Sequence, residues 1–176
     1  MKNTFTLMLL LLATLAPLLA HGVKMKPLAN EAIQKSCTEC HFVYQAGFLP
    51  KRSWERLFSD ESLKDHFGEE IVMEESIREE FLKYYLAYAS DVGTSKSAKK
   101  INRSINLNTT PMRISTSEFA KDKHQDLDKK MFKAPKIESA ANCVACHRDD
   151  AKKGIYDEDE VDVPGYQKGF LGWSKK

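Results

Sequence analysis

All four cysteines of this 176-residue chain fall in two copies of one short pattern. The first copy is "CTECH", Cys37 to His41, and the second is "CVACH", Cys143 to His147. Two thiols three residues apart lie on one face of a helical turn. That pattern is the attachment sequence of c-type haem: the thiols add to the porphyrin vinyl groups, and the adjacent histidine ligates the iron. Read so, Cys37 and Cys40 tether one haem with His41 as its proximal ligand. Cys143 and Cys146 tether a second, with His147.

Other thiol chemistry accounts for the pattern less well. A four-thiolate zinc site needs neither histidine and does not need its pairs more than a hundred residues apart. A thioredoxin-like site wants a strand leading into a helix, and no run of alternating strands precedes either motif. A disulfide inside Cys-x-x-Cys closes a loop too small to stabilise much.

Residues 1–20, "MKNTFTLMLLLLATLAPLLA", read as a cleaved secretory signal. Lys2 precedes an apolar run, and Ala20 ends it with a small residue. An uncleaved membrane anchor is the rival reading, but a spanning helix wants about 20 apolar residues, and Thr6, Thr14 and Pro17 interrupt this run. Export places the mature chain in the periplasm.

Three histidines remain: His21, His66 and His124. His21 would sit at the freed terminus, where chains are mobile. Two haems with one proximal ligand each need two distal ligands, and His66 and His124 are the two candidates left. In "SLKDHFGEE", Leu63, His66 and Phe67 are expected on one face of a short helix ending at Gly68. In "FAKDKHQDL", Phe119, Ala120, His124 and Leu127 recur at helical spacing. The rival sixth ligands are Met25, Met73, Met112 and Met131. Methionine in an amphipathic helix is normally core filler.

Helices must position these groups. Residues 21–30 read as a loose lead-in, and a short helix is expected from about Ala29 through the first motif. Ser53 is expected to cap a helix carrying Trp54, Leu57 and Phe58. The clearest helix spans about 74–90, with Ile77, Phe81, Tyr84 or Tyr85, and Tyr88 as its apolar stripe. From about 90 to 111 the composition turns to Ser, Thr, Asn and Lys, which predicts a long loop. Helices are expected over about 117–132 and 139–148, and a short extended piece near the end. The expected organisation is one mostly α domain, 21–176. Its first haem lobe would span about 30–90 and its second about 112–165, joined by the loop. The two haems would serve as core, with Tyr44, Phe48, Trp54 and Phe67 packed along them.

The chain has 27 basic and 25 acidic residues, and the leader removes only Lys2. So even a balance does not imply a nucleic-acid partner. Lys121, Lys123, Lys129, Lys130, Lys133 and Lys136 cluster before the second motif. They read as solvated surface or as a docking face. Acids concentrate in 60–80 and 157–162.

With these residues assembled, the chain resembles the small exported dihaem cytochromes c of the DHC type. The likeness spans about 37–164. Its specific part is "FLPKRSW" followed by "DHFG", and "NCVACHRDDAKKGIYDEDEVDVP" matches in the second half. The resemblance implies a small helical dihaem fold, two haem c groups, and His66 and His124 as distal ligands of the first and second haem. It implies electron exchange with another redox protein, a monohaem cytochrome c or a membrane b-type cytochrome. An iron with two strong protein ligands has no open position, which favours an electron carrier over an enzyme. The alternative is a dihaem enzyme, peroxidase-like or another oxidoreductase, with one open or labile ligand.

Overall fold

A computed structural model describes residues 22–28, 38, 41–169 and 172–176. The leader, His21, the helix expected from Ala29, and Cys37 and Cys40 lie outside the described residues.

The fold is mostly helical, with two small two-stranded sheets. Helix α1, Lys51–Leu57, follows a 3-10 turn at Ala46–Phe48. Pro50, rather than Ser53, holds the cap position, and its carbonyl accepts from the amides of Ser53 and Trp54 at 3.0 and 3.3 Å. Proline suits a helix start because its missing N–H would go unpaired there. Ser53 is instead buried inside the first turn. Trp54 and Leu57 face inward, and the Trp54 indole N–H donates to the carbonyls of Ala46 and Leu49.

Helix α2, Asp60–Lys64, is capped by the Ser59 hydroxyl, which accepts from the Ser62 amide. Helix α3, Glu75–Tyr88, corresponds to the long amphipathic helix expected from the sequence. It buries Phe81 and Tyr85, while Tyr88 stays at the rim. Arg78 ties α3 to α2 through Asp60 at 2.5 Å. Phe81 and Tyr85 join Leu28, Val43, Leu49, Trp54 and Leu57 in the first hydrophobic cluster.

Two stretches expected to be irregular are not. The first is 90–111, which contains helix α4, Lys96–Ser104, capped by Ser95. Ala98, Ile101 and Ile105 are buried at i, i+3 and i+7, and the lysines point away. Gly93 lets this helix come close, since a Cβ there would stand 2.5 Å from the Ala98 Cβ. The second is 22–28, expected as a loose lead-in. Strand β1, Val23–Lys24, pairs antiparallel with β2, Ile155–Tyr156. Just before β2, Gly154 adopts φ +74, and a Cβ there would meet the Met25 carbonyl oxygen at 2.6 Å. The Met25 amide donates to the Gly154 carbonyl at 2.7 Å. Val23 and Met25 pack with Phe48, Ile101, Ile105 and Phe119 in the second cluster.

Helix α5, Glu118–Lys123, is shorter than the span expected over 117–132, and a 3-10 turn at Met131–Lys133 follows it. Helix α6, Val144–Lys152, carries the second motif and kinks at Arg148, whose φ is 52. The extended piece near the end is a hairpin of β3, Tyr166–Gly169, and β4, Gly172–Lys175. Met131, Ile137 and Val163 form the third cluster, with Cys146 and Trp173 at its margin.

The core role of α4 is open to a direct test. Ile101→Ala should lower unfolding free energy by about 3 kcal/mol. Leu107→Ala, at a residue 79% exposed, should change it by no more than about 0.5 kcal/mol. Chemical denaturation of the holoprotein measures both.

Candidate haem-binding sites

The second site is built from both ends of a 24-residue segment, His124 to His147. Cys143 begins the motif turn, and the His147 amide donates to the Cys143 carbonyl at 2.8 Å. The positive φ of Arg148 then breaks the helix immediately after the histidine. Such a conformation is uncommon for a residue with a Cβ and needs outside support. Support comes from Asp162, whose carboxylate pairs with the Arg148 guanidinium. Its amide also donates to the Cys146 carbonyl at 3.1 Å.

His124 enters from the other side. It is the C-cap of α5 rather than a residue within a longer helix. Its ring Nδ1 lies 2.7 Å from the Ala120 carbonyl. A carbonyl only accepts, so the proton sits on Nδ1 and the lone pair is left on Nε2. Fixing a ligating imidazole through its other nitrogen in this way is usual at metal sites. The ring centres of His124 and His147 stand 6.2 Å apart, with planes at 80°. Between the helices is a cavity of about 730 Å³, lined by Cys143, Cys146 and both histidines, with Tyr44, Phe48 and Phe119 among its apolar walls.

Burial and the neighbouring His124 push His147 down to about 4, so it is neutral at pH 7. Burial pushes the Cys143 thiol up to about 12. A neutral imidazole is the form that ligates a metal.

The first site pairs His41 with His66. Their ring centres are 6.3 Å apart, with planes at 25°. The His41 Nδ1 donates to the Phe42 carbonyl at 2.8 Å, again leaving Nε2 with the lone pair. His66 does not lie on a helix, as its sequence context suggested. Helix α2 ends at Lys64, and His66 bridges to Glu69 across a tight turn. Phe67 and Gly68 both have positive φ, at 60 and 107, as in a type I′ turn. The Asp65 carboxylate accepts from the Gly68 amide at 2.9 Å and closes the turn. Phe67 therefore points outward, 45% exposed, with the Arg113 guanidinium 3.9 Å from its ring centre. Burial, then His41 and Arg113, hold the His66 imidazole below its usual range. Its Nδ1 is buried with no protein partner among the described residues. Such an atom is costly in a finished protein.

These distances fit a metal between each pair. With a metal–nitrogen bond of about 2 Å and a ring centre about 1 Å behind the nitrogen, two imidazoles on opposite sides of one metal stand about 6 Å apart.

Comparisons with known proteins agree on what would lie there. Residues 33–156 match the model of the family described as dihaem cytochrome c. This chain belongs to that family. It therefore carries two c-type haems and is a haem-based electron-transfer protein. A solved structure of a dihaem cytochrome c from Rhodobacter sphaeroides is 33% identical, with a TM-score of 0.65. The match covers 74% of this chain and 99% of that one. A dihaem cytochrome c from Shewanella baltica is 28% identical over 77% of this chain and 94% of that one, with a TM-score of 0.61. A search of curated proteins finds no match.

Of the aromatic residues expected along the haems, Tyr44 and Phe48 line the second cavity. Trp54 is taken up in the first hydrophobic cluster and Phe67 turns outward. The sequence reading missed Tyr156, whose ring centre is 5.1 Å from that of His147. Its hydroxyl donates to the buried Gln45 at 2.5 Å. The only local signal for it was "GIY", a glycine turn followed by two β-formers.

With each motif holding one haem, replacing both Cys143 and Cys146 by alanine should leave a protein with one covalent haem. Mass spectrometry of the denatured product should show the loss of one haem mass.

Proposed function

We propose that the chain is an exported, periplasmic electron carrier that performs no catalysis of its own. Both haems are bis-histidine ligated, by His41 with His66 and by His147 with His124. The observation that carries this reading is the pair of histidine couples, 6.3 and 6.2 Å between ring centres. One of each couple is a proximal histidine of a haem motif. The other comes from a separate element of the chain.

The haem supplies a one-electron couple, and the chain's residues hold it. Two imidazoles leave no position for substrate and set a lower potential than a methionine ligand would. Met25 and Met131, two of the rival ligands, are taken up in hydrophobic clusters. Residues 1–20 act as the export signal. No helix among the described residues is long and apolar enough to cross a membrane.

The partner in this reading is another redox protein, a small monohaem cytochrome c or a membrane b-type cytochrome. Lys121, Lys123, Lys129 and Lys168 line the second cavity, outnumbering Asp126 and Glu158 on the same wall. A partner with an acidic face around its own redox centre fits there. Encounter between such faces is steered by charge and weakened by salt.

The deciding experiment is the absorption spectrum of the reduced holoprotein with and without carbon monoxide. No change is expected, because neither iron has a free position. A shift in half the haem would overturn bis-histidine ligation at one site and favour a dihaem enzyme. In the His124→Ala variant, half the haem should bind carbon monoxide. The bimolecular rate with an acidic cytochrome should fall as ionic strength rises, which stopped-flow measurement would show.

A further inference from the structure

Beyond Tyr156, where the family match ends, the chain continues into the hairpin of β3 and β4. Its register pairs Tyr166 with Lys175 and Lys168 with Trp173. Residues directly opposite on antiparallel strands share a face, and so do residues two apart on one strand. All four side chains therefore lie on one face of the hairpin. Tyr166 and Trp173 pack against Met131, Ile137 and Val163 in the third cluster. Lys176 reaches Asp162 at 3.7 Å, the carboxylate that also pairs with Arg148 after the second motif. The hairpin is thus fastened beside the second haem site.

Trp173 borders two cavities. One is the second haem cavity, which Lys168 also lines. The other is an outer groove of about 660 Å³, walled by Met131, Pro135, Pro164, Tyr166 and Trp173. Lys130, Lys136 and Lys175 stand at this groove with one acid, Asp128, and all four are exposed. The Asp128 carboxylate accepts from the Lys130 amide at 2.8 Å. None of the acids of 157–162 lines the groove. An apolar floor among exposed lysines matches a protein surface that is apolar at its centre and acidic around it.

We propose that this groove is the seat of an acidic redox protein, and that Trp173 is the wall shared by that partner and the second haem cavity. The inference rests on the electron-carrier reading and deepens it. To the lysines of the haem cavity it adds an apolar seat and one side chain that meets both sides. One electron passes at each encounter. A ferrous iron of the second site becomes ferric as the partner's oxidised centre is reduced, or the reverse. Trp173 keeps its own electrons throughout.

The test uses the full dihaem protein, with reduced plant-type ferredoxin as the probe. That protein is acidic and a one-electron donor of low potential. Stopped-flow absorption follows haem reduction at low ionic strength. Dithionite, a small reductant that needs no docking, is the control donor. Lys136→Glu combined with Lys175→Glu should slow reduction by ferredoxin about tenfold, with little change in the dithionite rate. Lys96→Glu combined with Lys99→Glu makes the same change in net charge on α4, which lines neither cavity. That pair should slow ferredoxin by less than about twofold. Trp173→Leu should slow ferredoxin several-fold, with the dithionite rate, haem content and absorption spectra unchanged. A merely structural role would move those as well. Equal slowing by the two lysine pairs would be an effect of net charge alone and would overturn the seat, leaving the electron-carrier reading intact. An unaltered ferredoxin rate in the groove pair, or in Trp173→Leu, would overturn it too. Should Trp173→Leu lose the second haem, the lysine pairs decide alone. Carbon monoxide binding by the unaltered protein would instead overturn the reading beneath it.

Discussion

Two imidazoles facing one another across about 6 Å, twice over, is the constraint the rest of this structure serves. A histidine can hold that position only if its ring is fixed in rotation and its lone pair is aimed at the gap. For one histidine of each couple the chain does this with a backbone carbonyl. The His41 Nδ1–H donates to the next residue's carbonyl, and the His124 Nδ1–H donates to the carbonyl four residues back. The Ala120 carbonyl accepts twice, from the His124 amide at 3.1 Å and from its ring at 2.7 Å, since a carbonyl oxygen carries two lone pairs.

The same constraint accounts for a divided core. Among the described residues the buried apolar side chains form three separate clusters rather than one, and a large cavity lies beside them. A chain of this size has little apolar surface to spare. The cavity beside its clusters leaves room for a flat apolar group whose burial stabilises the assembly as side chains would. What the clusters do not join, polar contacts across the chain do. Gln45 accepts a hydrogen bond from the Tyr156 hydroxyl and donates one to the Ala151 carbonyl, and β1 pairs with β2 beside it. A buried glutamine with both ends satisfied specifies one arrangement of the two halves, because any slip would leave its amide unpaired.

How much of this could be read from the sequence depended on the range of the interaction. Cys-x-x-Cys-His is legible because attachment chemistry forces its residues to be contiguous. Helix α3 is legible because its stripe is aromatic and its outer face acidic. Helix α4 was hidden by its composition. Its three inward residues, Ala98, Ile101 and Ile105, have helical spacing, but small and polar neighbours outnumber them and read as a linker. The segment around His66 was misread for another reason. Its apolar neighbours suggested a helix face, whereas Asp65 and Gly68 close a turn that sends Phe67 outward and His66 inward. Turn chemistry overrode periodicity there. Ser53 was taken for a cap because serine favours that place, but Pro50 three residues earlier already opens the helix. The contacts of Tyr44, Gln45 and Tyr156 span about a hundred residues, and no local pattern encodes them.

The two sites are not copies of one another. In the first, the distal histidine follows the motif; in the second, it precedes it. The first pair has nearly parallel rings and the second nearly perpendicular ones. Their surroundings differ in charge as well. Exposed Asp65, Glu69 and Glu70 flank His66, with the Arg113 guanidinium over the neighbouring Phe67, while four lysines line the second cavity together with Asp126 and Glu158. A carrier with identical ends would offer a partner two equivalent docking faces. Two sites that differ in ring orientation and in the charged groups beside them are not equivalent faces.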